Sequence, residues 1–243
     1  MGNHQGLTIM SPPALTGAGG AVPATRNYWR LSETVTACLA SERMLMLDVG
    51  RDRYLALPAI QSECFLAWLQ SPGDPPPQAC VAILAELGIS ASAAEGVPVT
   101  CSVGIPTPMD SPCLARQRIG LGDVMSVARS VIAARRDLRS RPLAEVLERR
   151  FPPTTRGLNS AADLQSRLAI FRSARPLVPI PRVCLHDCLA LVDWLGTDAL
   201  GLTLVLGVSA FPFAAHSWLQ AGDLVADDHP ESPSRYVPIL HLP

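Results

Sequence analysis

The sequence predicts an α+β chain of two domains: a small antiparallel sheet followed by helices, then a set of helices that leads into strands. Three observations carry that expectation. Between residues 34 and 57 apolar residues recur in three short runs separated by turn residues, the pattern of strands. From about residue 90 to 120 the periodicity disappears and Pro98, Pro106, Pro108 and Pro112 accumulate, the composition of a connection. Beyond it the period becomes helical, and an uncharged, glycine-punctuated strand pattern follows near residue 202.

Each element follows from local pattern. The first residues, rich in Gly, Pro, Ala and Thr without an apolar period, read as a loose tail. The expected divisions are thus a tail over 1–25, a first domain over 26–95, a linker over 96–120 and a second domain over 121–243. Strands are expected over 34–39, 44–49 and 53–57, with Gly50-Arg51-Asp52 as the turn between the last two. Pro58 then opens a helix with Ile60, Cys64, Phe65, Trp68 and Leu69 on one face, stopped by Ser71-Pro72-Gly73. A second helix carries Ala79, Cys80, Ile83, Leu84 and Leu87, with Gly88 ending it.

In the second domain a helix over 123–138 is expected to turn Val124, Val127, Ala128, Val131 and Ile132 inward. Arg135, Arg136 and Arg139 near its end, with Arg149 and Arg150 beyond, read as solvated cations. Shorter helices are expected over 143–150 and 161–171. Pro176, Pro179 and Pro181 then deliver an extended segment to a helix that starts at Cys184. Strands over 202–206, 214–220 and 222–226 complete the chain, while His4, His229 and His241 read as loop or terminal residues.

Composition excludes several classes. With 20 basic against 21 acidic residues the net charge is -1, which gives no reason to expect nucleic acid or an anionic membrane as partner. The start has neither the basic region nor the apolar core of an export signal, and the uncharged run over 199–215 falls short of the ~20 residues a span needs. An odd count of seven cysteines, several inside apolar patterns, fits a reducing cytoplasm better than a disulfide framework. His186, Asp187 and Cys188 do not make the spacing of common zinc sites, so no metal or other cofactor is expected; His186 reads as a rim residue.

The chemistry concentrates near the C-terminus. Cys184 opens an apolar helix, His216 follows in a strand whose alternation sets His216 and Trp218 on one face and Ser217 and Leu219 on the other, and Asp227-Asp228 closes the next strand. In chain order this is nucleophile, base and orienting acid. A thiol in the first turn of a helix meets the positive dipole end, which with a nearby histidine can bring its pKa from about 8.5 to roughly 3.5–7.5. A carboxylate accepting from Nδ1 would fix the tautomer that turns Nε2 to the thiol. The bland readings are a core cysteine, on a helical face shared with Cys188, Leu191, Val192 and Leu195, and a satisfied core histidine.

These residues carry a resemblance. Cys184-Leu185, Leu189-Ala190-Leu191, Leu206-Gly207-Val208, Pro212-Phe213, Ala215-His216, Trp218 and Asp228 resemble the leader-peptidase B proteins of lasso-peptide biosynthesis, a branch of the transglutaminase-like cysteine proteases, over about residues 120–240. The resemblance implies a papain/transglutaminase-like cysteine protease domain with Cys184 as nucleophile, His216 as base and Asp228 as third member, with Asp227 its rival. Cys188, Ser217 and Gln220 depart from the family's more frequent residues without touching the triad. The N-terminal unit, with Met44-Leu45-Met46-Leu47-Asp48 and Arg53-Tyr54-Leu55-Ala56-Leu57 ahead of an apolar helix, resembles the winged-helix-like precursor-recognition domain that some of these proteins carry fused.

What the resemblance implies is removal of the leader from a ribosomally made precursor, exposing the core amine to an ATP-dependent, asparagine-synthetase-like lactam synthetase as partner. Any ATP dependence would enter through that partner. The leader would add a strand beside Arg53, Tyr54, Leu55 and Leu57 and pack on the helix bearing Cys80 and Leu84. Two other classes stay open: a leader-binding scaffold with a vestigial triad, and a thioester-forming acyltransferase with an amine as acceptor.

Overall fold

The computed structural model describes residues 27–71, 73–95, 117–152, 161–196, 201–222, 224–226 and 233–243. The expected tail, most of the expected linker, His4, His229 and both Asp227 and Asp228 lie outside the described residues.

The N-terminal half runs β1 (Asn27–Leu31), β2 (Val35–Ala40), β3 (Arg43–Asp48), β4 (Arg53–Ala56), α1 (Ala59–Leu69), α2 (Gln78–Glu86) and β5 (Ala91–Glu95). β2, β3 and β4 form an antiparallel sheet in that order, while β1 pairs antiparallel with β5. Ser41 and Glu42 both have positive φ, the signature of the mirror-image turn whose twist suits a two-residue hairpin between β2 and β3. The pair β1–β5 is a departure from expectation. Ala91–Glu95, built of Ala, Ser and Glu, has too little β propensity to announce a strand, and its partner supplies the pairing instead.

β3 explains its own run of apolar residues. Met44 and Met46 pack with Phe65, Trp68, Cys80 and Leu84, so α1 and α2 cover one face of the sheet. Leu45 and Leu47 face the other way, into a cluster with Cys38, Ala40, Leu206, Val208 and Ile239. Both faces are therefore buried, the condition under which a strand reads as continuously hydrophobic rather than alternating. The second cluster also joins the two halves of the chain.

The C-terminal half runs α3 (Leu121–Ser140), α4 (Leu143–Arg150), α5 (Ala161–Ala174), α6 (Cys184–Leu195), β6 (Thr203–Ala210), β7 (Phe213–Ala221), β8 (Leu224–Val225) and β9 (Val237–Leu242). Its antiparallel sheet has the order β8-β7-β6-β9. The α+β class thus stands, with α6 as the central helix of the larger core. Residues around all of its faces are buried, including Leu189, Ala190, Leu191 and Leu195, because α3 lies on one side and the sheet on the other.

Three expectations change here. α3 turns Val127, Val131 and Ala134 inward, whereas Ile132 is 56% exposed, so the buried stripe lies to one side of the expected one. Arg150 is not solvated: its guanidinium bonds Asp137 of α3 at 2.9 Å and Asp193 of α6 at 2.7 Å, tying three helices together. Burial alone would raise the Asp137 carboxyl, but the hydrogen bond and charge of Arg150, with Arg149 and Arg141, hold it below the usual range. Finally, His241 sits in β9 opposite Val205 rather than in a terminal loop. Pro238 within that strand weakens the sequence signal for it. Among the described residues no helix is long and apolar enough to cross a membrane.

Candidate active site

Val183 is extended and caps α6, whose first intrahelical bond runs from the Asp187 amide to the Val183 carbonyl at 2.8 Å. The amides of Cys184, Leu185 and His186 therefore precede the first helical acceptor and leave the positive helix end at Cys184. The thiol there is half-buried, within reach of a substrate.

The approach to Cys184 is fastened by one buried side chain. Arg175, only 1% exposed, donates from Nε to Asp187 Oδ1 at 2.8 Å, and from its two terminal nitrogens to the carbonyls of Ile180 at 3.0 Å and Pro181 at 3.2 Å. Arg182 donates to the other Asp187 oxygen at 3.3 Å. A carboxylate in the first turn of α6 thus anchors both the helix and the proline-rich segment that enters it. Sequence reading missed Arg175. Its signal was Asp187, a charge inside an apolar helix that had to find a buried partner.

His186 is buried rather than at the rim. Its Nε2–H donates to the Val131 carbonyl at 2.7 Å, locking α6 to α3. Cys188 points elsewhere again, its sulfur 3.8 Å from Ser217 Oγ of β7. His186, Asp187 and Cys188 thus turn to different partners, and among the described residues no group of three or more His, Cys, Asp or Glu could hold a metal ion.

His216 lies in the middle of β7, opposite Gly207 of β6, and is 2% exposed. Its ring stacks on Trp218 with centroids 6.0 Å apart and lies 5.1 Å from Tyr236. Ser217 takes the alternate face, toward Cys188 and α6. The structure therefore brings the helix of Cys184 and the strand of His216 into contact, and strand alternation turns the imidazole to the face away from α6. β8 pairs only with Gln220 and Ala221, so among the described residues β7 forms the sheet's rim at the level of His216.

The His216 face tolerates no extra atoms at Gly207. A Cβ there would stand 2.8 Å from the Trp218 ring and 2.9 Å from Tyr236 Cβ. Gly207→Ala is expected to lower stability by about 1–3 kcal/mol through overpacking, read as a fall in the urea midpoint with unchanged slope. An unchanged midpoint would show that the two rings move aside freely.

The N-terminal sheet reaches the same region. Burial raises the Tyr54 phenol to about 12, with negative charge at Cys184 and Asp52 adding to the effect, and Tyr54 packs on the same cluster as Leu185, the neighbour of Cys184. Its ring is 5.5 Å from that of Phe213 at the start of β7. Of the other residues expected to meet a leader, Leu57, Cys80 and Leu84 are buried in the N-terminal domain's own core. Cys80 Sγ sits 3.2 Å from Cys64 Sγ, and its thiol is raised to about 12, chiefly by burial. Arg53 bonds Asp48 at 3.4 Å and the Leu87 carbonyl, a clamp between β4 and the end of α2. Tyr54 and Leu55 are half-buried on opposite faces of β4, Tyr54 packed on the Leu45–Leu47 cluster and Leu55 on that of Met44 and Met46.

Residues 127–241 match the Transglutaminase-like superfamily. No curated protein and no solved structure matches the chain. The C-terminal region accordingly holds a transglutaminase-like domain, consistent with cysteine-protease-type or acyl-transfer chemistry.

Proposed function

We propose that the chain is a cysteine peptidase that removes the leader from a ribosomally made lasso-peptide precursor. The observation that carries this reading is the placement of Cys184 as a half-buried first residue of α6, ahead of amides with no helical acceptor, inside a domain similar to transglutaminases. The N-terminal winged-helix-like unit holds the leader along β4, and tethering raises the local concentration of the scissile bond.

In this reading the Cys184 thiolate attacks the carbonyl carbon, and the negative charge that develops on oxygen is met by first-turn amides of α6. Collapse breaks the C–N bond, with the His216 imidazolium giving its proton to the departing amine. Water then attacks the thioester while His216 takes its proton, and the leader leaves as a carboxylic acid with the thiolate restored. Asp228 orients the imidazole, with Asp227 the alternative. The freed core amine passes to an ATP-dependent lactam synthetase.

Incubation with the precursor, followed by mass spectrometry, tests this. A free leader acid and a free core amine are expected. Leader joined to an added amine would instead identify an acyltransferase, and an intact precursor bound by the protein would identify a scaffold. The same assay separates the two aspartates: Asp228→Asn is expected to slow release by at least ~100-fold, whereas Asp227→Asn stays within about threefold of the parent. The reverse order would move the third role to Asp227.

A further inference from the structure

Between the outer edge of β4, unpaired among the described residues, and the turn joining β6 to β7 runs a groove of about 180 Å³, lined by Arg43, Leu45, Tyr54, Leu55, Phe211 and Phe213 among others. It lies on the Leu45 face of the N-terminal sheet, opposite the face that Met44 and Met46 turn to α1 and α2. Phe211 and Phe213 are 66% and 51% exposed, unusual for two aromatic rings set two residues apart. One cation stands at this apolar wall. The Arg43 guanidinium lies 5.3 Å from the Phe211 centroid, and among the described residues it meets no carboxylate.

We infer that this groove is a substrate subsite for an extended peptide that places an apolar side chain against Phe211 and Phe213 and a neighbouring acidic side chain against Arg43. The inference rests on the reading of Cys184 as the reactive thiol, because Tyr54, which lines the groove, packs on the same cluster as Leu185, the neighbour of Cys184. Three features select this occupant. Among the described residues β4 is an edge strand, whose outer amides and carbonyls suit an added extended chain. The lining is apolar and aromatic, which suits one side chain of leucine or phenylalanine size. The unneutralised charge of Arg43 then favours a carboxylate beside it. The groove thus reads two neighbouring residues of the substrate and aligns the backbone that continues toward the thiol.

Dye-labelled hexapeptides test this on the full-length Cys184→Ala chain, where binding is read without cleavage. The probes are Ser-Thr-Leu-Glu-Thr-Ser and its variants with Ser for Leu or Lys for Glu, followed by anisotropy. The parent peptide is expected to bind roughly tenfold more tightly than either variant. With the additional change Phe213→Ser the advantage of Leu disappears. With Arg43→Glu the order of the Glu and Lys peptides reverses, a gain that a misfolded variant could not produce. Equal affinities for all three peptides, absence of saturable binding, or an order unchanged by Arg43→Glu would each overturn the subsite. Leader release by the parent protein is scored separately. Its loss alone would refute the peptidase reading, and loss of peptide selectivity alone would refute the groove.

Discussion

Under the proposed mechanism Cys184→Ala is expected to abolish leader release, lowering the rate by at least ~10³-fold, while the protein folds and binds its precursor as before. The expected separation follows from position. Cys184 is half-buried at the start of α6, so removing its sulfur costs well under about 1 kcal/mol of packing. In the proposed mechanism it takes away the atom that forms the covalent intermediate. Cys188→Ala is the matched control, because that sulfur is fully buried against Ser217. It is expected to lower stability by about 1–2 kcal/mol and leave release intact. The two variants are compared by mass-spectrometric time course and by urea unfolding. Release retained in Cys184→Ala, or lost in a folded Cys188→Ala, would exchange their roles.

Arg175→Ala is expected to have the largest effect on stability. The substitution leaves Asp187 buried with Arg182 as its remaining cation, and strips the donors from the Ile180 and Pro181 carbonyls. Breaking a buried ion pair by removing one partner costs about 3–5 kcal/mol. For a chain of this length that is a fall in Tm of roughly 6–20 °C. Arg175→Lys recovers only part of it, since one ammonium cannot reproduce a planar fork that serves a carboxylate and two carbonyls. Because the same bonds set the path into Cys184, release is expected to slow in Arg175→Lys at temperatures where the variant is fully folded. Unaltered turnover in that variant would make Arg175 a purely structural anchor.

Much of this architecture was legible in the sequence, for identifiable reasons. β2, β3 and β4 announced themselves through β-branched and apolar runs bounded by turn residues, and α1, α2 and α3 through helical spacing. Pairing that depends on a distant partner stayed hidden, as in β1 with β5, or in β9, where Pro238 interrupts the pattern. The burial of His186 and Arg150 was invisible because both are stabilised by specific contacts with other helices, His186 to the Val131 carbonyl and Arg150 to Asp137 and Asp193. Such contacts leave no trace in local periodicity. The helix-start position of Cys184 and the strand position of His216 were both readable, and so was the alternation that separates His216 from Ser217. What alternation alone could not convey was that Ser217, rather than His216, would be the residue turned to α6.

The proposed mechanism requires that Cys184 and His216 act as one reactive centre. The rate at which chloroacetamide alkylates Cys184 at neutral pH, followed by peptide mass spectrometry in the parent and in His216→Ala, tests it most directly. The account predicts a loss of at least ~10-fold in the variant, because the imidazole would no longer take the thiol proton. An unchanged rate in a folded His216→Ala would contradict it and leave His216 as a packed ring between Trp218 and Tyr236.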